Sequence, residues 1–432
     1  MTGFIERVGT CVDADRLRTD IERTGSFGAV EGEGNGRTAL PGDDANAAAR
    51  EYLVERLEAA GCEVRVDAVG NVAGRWVPPG VDPDAPPVAS GSHLDSVPRG
   101  GMFDGPLGVY AALEGVRAID AALDGEIIER PIEIVSFTEE EGNRFSGGLL
   151  GSSVASGHTA VADALALTDE DDVTLERALV DAGFRGKGRL DAGEWDAWIE
   201  LHVEQARHLE RQGVPVGVVT SIAGATRCPV EIHGEANHAG TTPMAERADA
   251  LVAAGEVIGA VERIATAVGG PDGRAVGTVG RIDNEPDTVN VVPGQTMLEL
   301  DLRAPDAERL KELAARVEDT LERIESERPV STHMERTYDA APTPTSDRCR
   351  TSLAEAAAAM DIETTTVYSG AGHDTMRVGD VTDVGMVFVP SRDGISHNPR
   401  EWTDWADCAT GARVVAGALA QLARGGIDAE QQ

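Results

Sequence analysis

The residues of this sequence best suited to chemistry are histidines and carboxylates that follow short apolar or small-residue runs. His93 and Asp95 close the run VASGSHLD, and beyond Gly100-Gly101, Asp104 opens a helix that Pro106 is placed to start. Imidazole and carboxylate ligate divalent metals, and in a βα unit ligands gather beyond the carboxyl ends of the strands. Three later stretches repeat the arrangement. Residues 132–137 lead to Glu139-Glu140-Glu141-Gly142, residues 197–201 lead to His202-Val203-Glu204-Gln205, and residues 384–389 lead through a short loop to His397. Taken singly, a histidine at a strand end is most often an ordinary hydrogen-bonded residue, and adjacent glutamates form a solvated turn. Together His93, Asp104, Glu141, His202 and His397 make five ligands at four strand ends. With one carboxylate bridging, such a set suits two divalent ions ~3.5–4 Å apart. Ligands without cysteine fit zinc first, and manganese, cobalt or nickel as well.

Such a site needs strands alternating with helices. Residues 13–23 and 43–60 read as amphipathic helices, separated by a glycine-rich loop over 25–42 placed to cover the site. Strands are expected at 62–67, 69–76, 88–93 and 132–137, with a helix at 106–123 and helical segments to about 183. From about 223 the pattern changes to strand 229–233, helix 244–268, strands 275–282 and 296–303, helix 306–327 and strand 330–338. That order is β-α-β-β-α-β, a ferredoxin-like unit. Ala223-Gly224-Ala225 on entry and residues 341–345 on exit are small or Pro/Thr joints, and Gly224 is the hinge candidate. The α/β pattern then resumes with helix 346–358, strand 362–368, a loop at 369–374, strand 384–389 and helix 402–422, and residues 424–432 read as disordered. The fold expected is an α/β doubly wound, mostly parallel catalytic domain, residues 1–222 and 341–432, with an inserted lid and dimerisation domain at 223–340.

A chain of 432 residues favours two domains or more. Its formal net charge of −37, with Lys187 and Lys311 as its only lysines, argues against nucleic acid as a partner. The acidic residues are dispersed and form no tail, as in proteins that work in a saline cytoplasm, where a Debye length of ~3 Å screens their repulsion. No apolar run reaches the ~18 residues of a membrane helix, and the N-terminus has no signal-peptide pattern, so a cytoplasmic, membrane-free protein is expected. The five cysteines are scattered without CxxC pairing, which argues against disulfides and cysteine zinc sites.

The motifs GSHLDSV, GGMFDGPLGV, FTEEEGNRF, ELHVEQ, NHAGTTPM, NVVPG, DLR, SGAGHD and ISHNP together resemble the carbamoylase branch of the metal-dependent aminoacylases and peptidases. That branch comprises N-carbamoyl-L-amino acid hydrolases, allantoate amidohydrolases and β-ureidopropionases. The resemblance covers nearly the whole chain. It implies that His93 and His202 hold one ion, Glu141 and His397 the other, and Asp104 both, with Asp95 orienting His93 from behind. It makes Glu140 the general base. Glu139 stands where relatives often carry Asn or Asp, and Ala206 where they commonly carry Gly. His238 would polarise the scissile carbonyl, acting in the partner subunit's site of a homodimer. Asn290 and Arg303 would take the substrate carboxylate, and Gln205, Gly372 and His373 would make further substrate contacts. His158, His208, His233 and His333 match no motif.

The activity this implies is hydrolysis of the ureido C–N bond of an N-carbamoyl-L-amino acid or close analogue, releasing amino acid, CO2 and ammonia. The alternatives within the branch are allantoate amidohydrolase and β-ureidopropionase. Aminoacylases and dipeptidases share the ligands but not NHAGTTPM and SGAGHD, and a catalytically inactive metal-binding protein would need no free Glu140.

Overall fold

Short Val/Ile/Ala-rich runs bounded by turn residues form strands, and the Ala/Leu-rich stretches between them form helices, in a computed structural model that describes residues 2–32 and 34–425. The chain divides into two compact units. Unit 1 takes the chain up to Thr220, Pro344–Val367 and the chain from His373; unit 2 takes Ser221–Thr343 and Tyr368–Gly372.

Strands β1 (Glu63–Val66), β2 (Val72–Trp76), β3 (Val88–His93), β4 (Ile132–Phe137), β5 (Ala197–Val203) and β6 (Val216–Ile222) come first. Every residue of β3, β4 and β5 is buried, as parallel strands covered on both faces must be. Helix Pro106–Ala122 links β3 to β4 and buries most of its residues, with Pro106 in its first turn where the missing N–H costs nothing.

Unit 2 contains β7 (Gly224–His233), β8 (Asn237–His238), β9 (Val276–Glu285), β10 (Val291–Val292), β11 (Gln295–Ala304), β12 (Ser331–Met334) and β13 (Tyr338–Ala340). Its main sheet runs β12-β7-β11-β9, antiparallel throughout, with β13 also on β7. Helices Ala250–Gly269 and Ala307–Glu327 bury Val257, Val261, Leu313 and Val317 against Val230, Leu298 and Leu300 of that sheet.

Strands β14 (Thr343–Pro344), β15 (Thr364–Ser369) and β16 (Val384–Val389) complete the chain's large sheet, ordered β1-β2-β4-β3-β5-β16-β6-β14 with β15 on β6. Its centre, β4-β3-β5-β16, is parallel, while β2 and β6 flank it antiparallel. The fold is therefore mixed α/β around a mostly parallel sheet.

Several elements differ from the sequence reading for identifiable reasons. Helix 244–268 starts only at Ala250, because Asp249 caps it by accepting the Val252 N–H; Met244–Glu246 is a separate 3-10 turn. The strand expected at 330–338 is two short strands, both paired with β7. Gly224 is not a free joint: it opens β7 opposite Ala304, and a Cβ there would fall 2.6 Å from the Ala340 carbonyl oxygen. Its role is close packing. A short helix, Asp374–Val378, begins at the last residue of the expected loop 369–374, in a stretch for which no helix was expected. Helix Thr2–Cys11, which buries Phe4, Ile5 and Val8, and strand β6 went unread. Of the expected disordered end, residues 426–432 lie outside the described residues, while Arg424 ion-pairs with Glu126. Among the described residues no helix is long and apolar enough to cross a membrane.

Candidate metal centre

The strands β4, β3, β5 and β16 lie side by side in one direction, so their carboxyl ends form a single rim. His93 is the last residue of β3 and His202 the last but one of β5. Glu140 and Glu141 follow β4, and His397 follows β16 with a left-handed φ of 54°. Asp104 reaches the same point from the loop before helix Pro106–Ala122. Gly105 lets it do so, since a Cβ there would lie 2.6 Å from Cε1 of His93.

Asp104 is the hub. Its Oδ1 lies 3.5 Å from His93 Nε2 and 3.1 Å from His202 Nε2, and its Oδ2 lies 3.4 Å from His397 Nε2. The same His397 nitrogen is 3.3 Å from Glu141 Oε2, and Glu140 Oε2 is 3.7 Å from His93 Nε2. Three groups have ligand atoms close enough to share a cation: His93, Asp104 and His202; His93, Glu140 and Glu141; Asp104, Glu141 and His397.

The donor set fits divalent ions. Nδ1 of His93 bonds the Asp95 carbonyl at 3.1 Å, and Nδ1 of His202 bonds the Val203 carbonyl at 3.0 Å. A carbonyl accepts only, so each Nδ1 carries a hydrogen and each Nε2 is left to face carboxylate oxygens. Carboxylates gathered around these nitrogens call for positive charge between them, a proton on the ring or a cation bound by the deprotonated nitrogen. The titration behaviour agrees. Burial would lower the pKa of His93, but the carboxylates of Glu140, Asp104 and Asp95 raise it well above normal. Burial, with Glu141 and Asp374 nearby, pushes Glu140 well up against the opposing pull of His93. Burial and Asp104 push Glu141 to about 7, and the hydrogen bond to Asp104 raises His397 to about 9.

Asp95 touches His93 through its main-chain carbonyl. Its carboxylate accepts the N–H of Glu141 at 3.1 Å and of Glu140 at 3.4 Å, tying the end of β3 to the acidic triplet. Glu139 turns away with φ 57°, and its Oε1 accepts the N–H groups of Arg144, Phe145 and Ser146. Gln205 Nε2 donates to Asp104 Oδ2 at 3.0 Å and to Ser396 Oγ at 3.2 Å. His373 is buried edge-on to His202, ring centroids 4.6 Å apart, and burial holds its pKa well below normal; Gly372 precedes it in the turn.

The other candidates belong to unit 2. His238 is exposed and pairs with Val291, and Ala239 N–H donates to the Asn290 carbonyl, so His238 and Asn290 are neighbours. Nδ1 of His238 accepts the Gly240 N–H at 3.0 Å, which leaves Nε2 to carry a hydrogen. Arg303 is held in a two-point pair with Asp301, Nε to Oδ1 at 2.7 Å and Nη2 to Oδ2 at 3.1 Å, while Nη1 donates to the Gly370 carbonyl.

Sequence reasoning passed over three residues close to the centre. Glu200, buried in β5, accepts from Ser92 Oγ, Thr375 N and Thr375 Oγ1; a lone charge inside an apolar parallel strand was its signal. Arg37, fully buried, donates from Nη2 to the carbonyls of Leu94 and Asp95, and nothing in its glycine-rich surroundings marked it. Glu401, also buried, lies beside Asp104 four residues after His397.

A parallel α/β sheet rimmed by imidazoles and carboxylates that could hold divalent ions defines a metal-dependent class of protein. The family model described as peptidase family M20/M25/M40 matches residues 89–421, and the chain belongs to that family. It is 40% identical over 416 residues to an N-carbamoyl-L-amino-acid amidohydrolase of Paenarthrobacter aurescens, covering 95% of this chain and 98% of that one. It is 34% identical over 376 residues to an allantoate amidohydrolase of Escherichia coli, covering 87% and 90%. The crystal structure of a hydantoinase/carbamoylase family amidase from Burkholderia multivorans superposes with a TM-score of 0.88 at 34% identity, covering 95% and 98%.

Proposed function

We propose that this chain is a binuclear metal amidohydrolase that cleaves the ureido C–N bond of N-carbamoyl-L-amino acids, releasing the amino acid, CO2 and ammonia. The observation that carries it is Asp104, one carboxylate facing two histidines with one oxygen and a third with the other, with the buried carboxylate of Glu140 beside them. The substrate class follows the name of the relative that is 40% identical. His93 and His202 would hold one ion, Glu141 and His397 the second, and Asp104 both. Ions bound there supply Lewis acidity, polarising a carbonyl and making water acidic enough to lose a proton near neutral pH.

The chain's own groups do the rest. Glu140 takes the proton of the attacking water and returns it to the amino-acid nitrogen as the carbonyl C–N bond breaks. The carbamate half falls apart to CO2 and ammonia. His238, with hydrogen on Nε2, donates to the developing oxyanion. Arg303 and Asn290 take the substrate carboxylate, and Gln205, Gly372 and His373 complete the contacts.

The finer assignments are zinc as the metal, a catalytic domain of residues 1–222 and 341–432, and a lid at 223–340 that dimerises and lends His238 to the partner subunit. Among the described residues the outer edge of β9 has no partner in its sheet, and Leu251, Ile258, Val276 and Ile282 of unit 2 are exposed apolar side chains that a two-fold partner would cover. All five cysteines are free, which suits a reducing cytoplasm, and the charge of −37 suits a saline one.

The test is ammonia release from N-carbamoyl-L-amino acids, β-ureidopropionate and allantoate by metal-reconstituted enzyme. Turnover of N-carbamoyl-L-amino acids is expected. Preference for allantoate or β-ureidopropionate would move the enzyme within the ureido class, and dipeptide cleavage without ureido turnover would overturn the reading.

A further inference from the structure

Of the groups around Asp104, the least expected is another carboxylate. Glu401 is buried, and its Oε1 accepts the main-chain N–H of Phe103 at 2.9 Å and of Asp104 at 3.1 Å. Its Oε2 lies 2.9 Å from Ser396 Oγ, and that hydroxyl lies 2.6 Å from Asp104 Oδ2. Ser396 immediately precedes His397. One side chain thus fastens the loop that presents Asp104 to the loop that presents His397, two segments almost 300 residues apart in sequence.

The fit is close. A Cβ on Gly101 would fall 2.0 Å from Oε1 of Glu401, so the carboxylate lies flat on this glycine, whose φ is not in the left-handed region. The glycine of GGMFDG is there to admit the carboxylate, not to bend the chain. Placing a second buried carboxylate beside Asp104 costs free energy, and accepting two N–H groups and facing a hydroxyl offsets it. This carboxylate holds the backbone of the residue whose two oxygens must face both halves of the centre.

We infer that Glu401 is a positioning residue for the metal centre: acting through the Phe103 and Asp104 amides and through Ser396, it sets both oxygens of Asp104 against the three histidines. The inference rests on the metal reading above and adds a residue to it. Partners of this kind, behind the ligands, are worth 10–100-fold in metal affinity.

The test measures zinc affinity of the full chain by competition with a chromophoric chelator, with circular dichroism to confirm folding. Glu401→Ala is expected to weaken zinc binding at least tenfold. Gly101→Ala removes no charge and no ligand, yet should weaken it in the same direction by displacing the carboxylate. Glu401→Gln keeps an oxygen for both N–H groups and offers its NH2 to Ser396 Oγ, so it should stay far closer to wild type than Glu401→Ala. A folded Glu401→Ala or Gly101→Ala variant with wild-type zinc affinity overturns the inference, as does equal loss in Glu401→Gln and Glu401→Ala. A wild-type chain that binds no zinc overturns the metal reading beneath it.

Discussion

The candidate residues of unit 1 and those of unit 2 are built on opposite principles. His93, Asp104 and His202 are 1–3% exposed, and each is held by a strand end, a main-chain carbonyl or another side chain, while His397, on a loop, is the exposed exception in unit 1. His238, in a two-residue strand, and Asn290, in the turn before its partner strand, are exposed. Ligands that must gather like charges need a rigid frame, because mutual repulsion would drive them apart on a mobile loop. Groups that meet a substrate need solvent access before it arrives. The contrast predicts that damage to the ligands of unit 1 shows in metal content, and damage in unit 2 in turnover alone.

Glu140 tests this most severely, since it lies within the buried cluster but is assigned to proton transfer. Glu140→Gln should cost about 10²–10⁴-fold in kcat with both metals retained. Glu141→Gln should instead lose metal, as measured by elemental analysis. The reverse pair of outcomes would shift the roles by one residue within the triplet.

In unit 2, His238→Ala should lower kcat by roughly 10²–10³-fold with metal content unchanged. Mixing it with Glu140→Gln under subunit exchange should restore part of the activity, because a heterodimer holds one site with both defects and one with neither. If exchange is confirmed and activity stays at the parental level, His238 works within its own chain.

The pH response should report on the ligands of unit 1. Glu141 is raised to about 7, chiefly by burial, and His397 to about 9, chiefly by Asp104, and both must lose a proton to ligate. Zinc affinity should therefore rise as pH increases from about 6 to about 9, with protons released on binding. Chelator competition across pH and calorimetry in buffers of different ionisation heat would read this. A flat profile would mean that neither group ligates.

What could be read from the sequence follows the same division. The positions of His93, His202 and His397 were legible because each follows an apolar run of strand length, and a parallel sheet brings such ends together whatever the details. The antiparallel β-α-β-β-α-β order of unit 2 was legible from alternating periodicity. Glu401 and Arg37 were not, because their meaning arises only when distant segments meet; Arg303 pairs with Asp301 two residues earlier on the same face of β11, a neighbour that strand alternation places within reach. Gly224 read as a hinge because a small residue at a joint looks mobile, whereas the neighbouring Ala340 carbonyl leaves no room for more than a hydrogen.

The smallest expected effect concerns charge. Helix Ala307–Glu327 of unit 2 buries Leu310, Leu313, Val317, Leu321 and Ile324 and turns Glu308, Glu312, Glu318, Asp319, Glu322, Glu325 and Glu327 to solvent, against Arg309, Lys311, Arg316 and Arg323. Helix Pro106–Ala122 of unit 1 carries few charges and is almost wholly buried. Salt acts on the first helix in two directions. It weakens ion pairs such as Arg316 with Glu312, which are exposed and contribute little, and it screens repulsion among carboxylates that outnumber the cations. Screening of repulsion should win. Amide protection in helix Ala307–Glu327 should therefore rise from dilute buffer to molar KCl by more than in helix Pro106–Ala122, in hydrogen exchange on the full chain, and the melting temperature should rise with it. Equal salt responses in the two helices would show that the net charge of −37 acts through the chain as a whole, and a flat melting temperature would remove salt adaptation from the account.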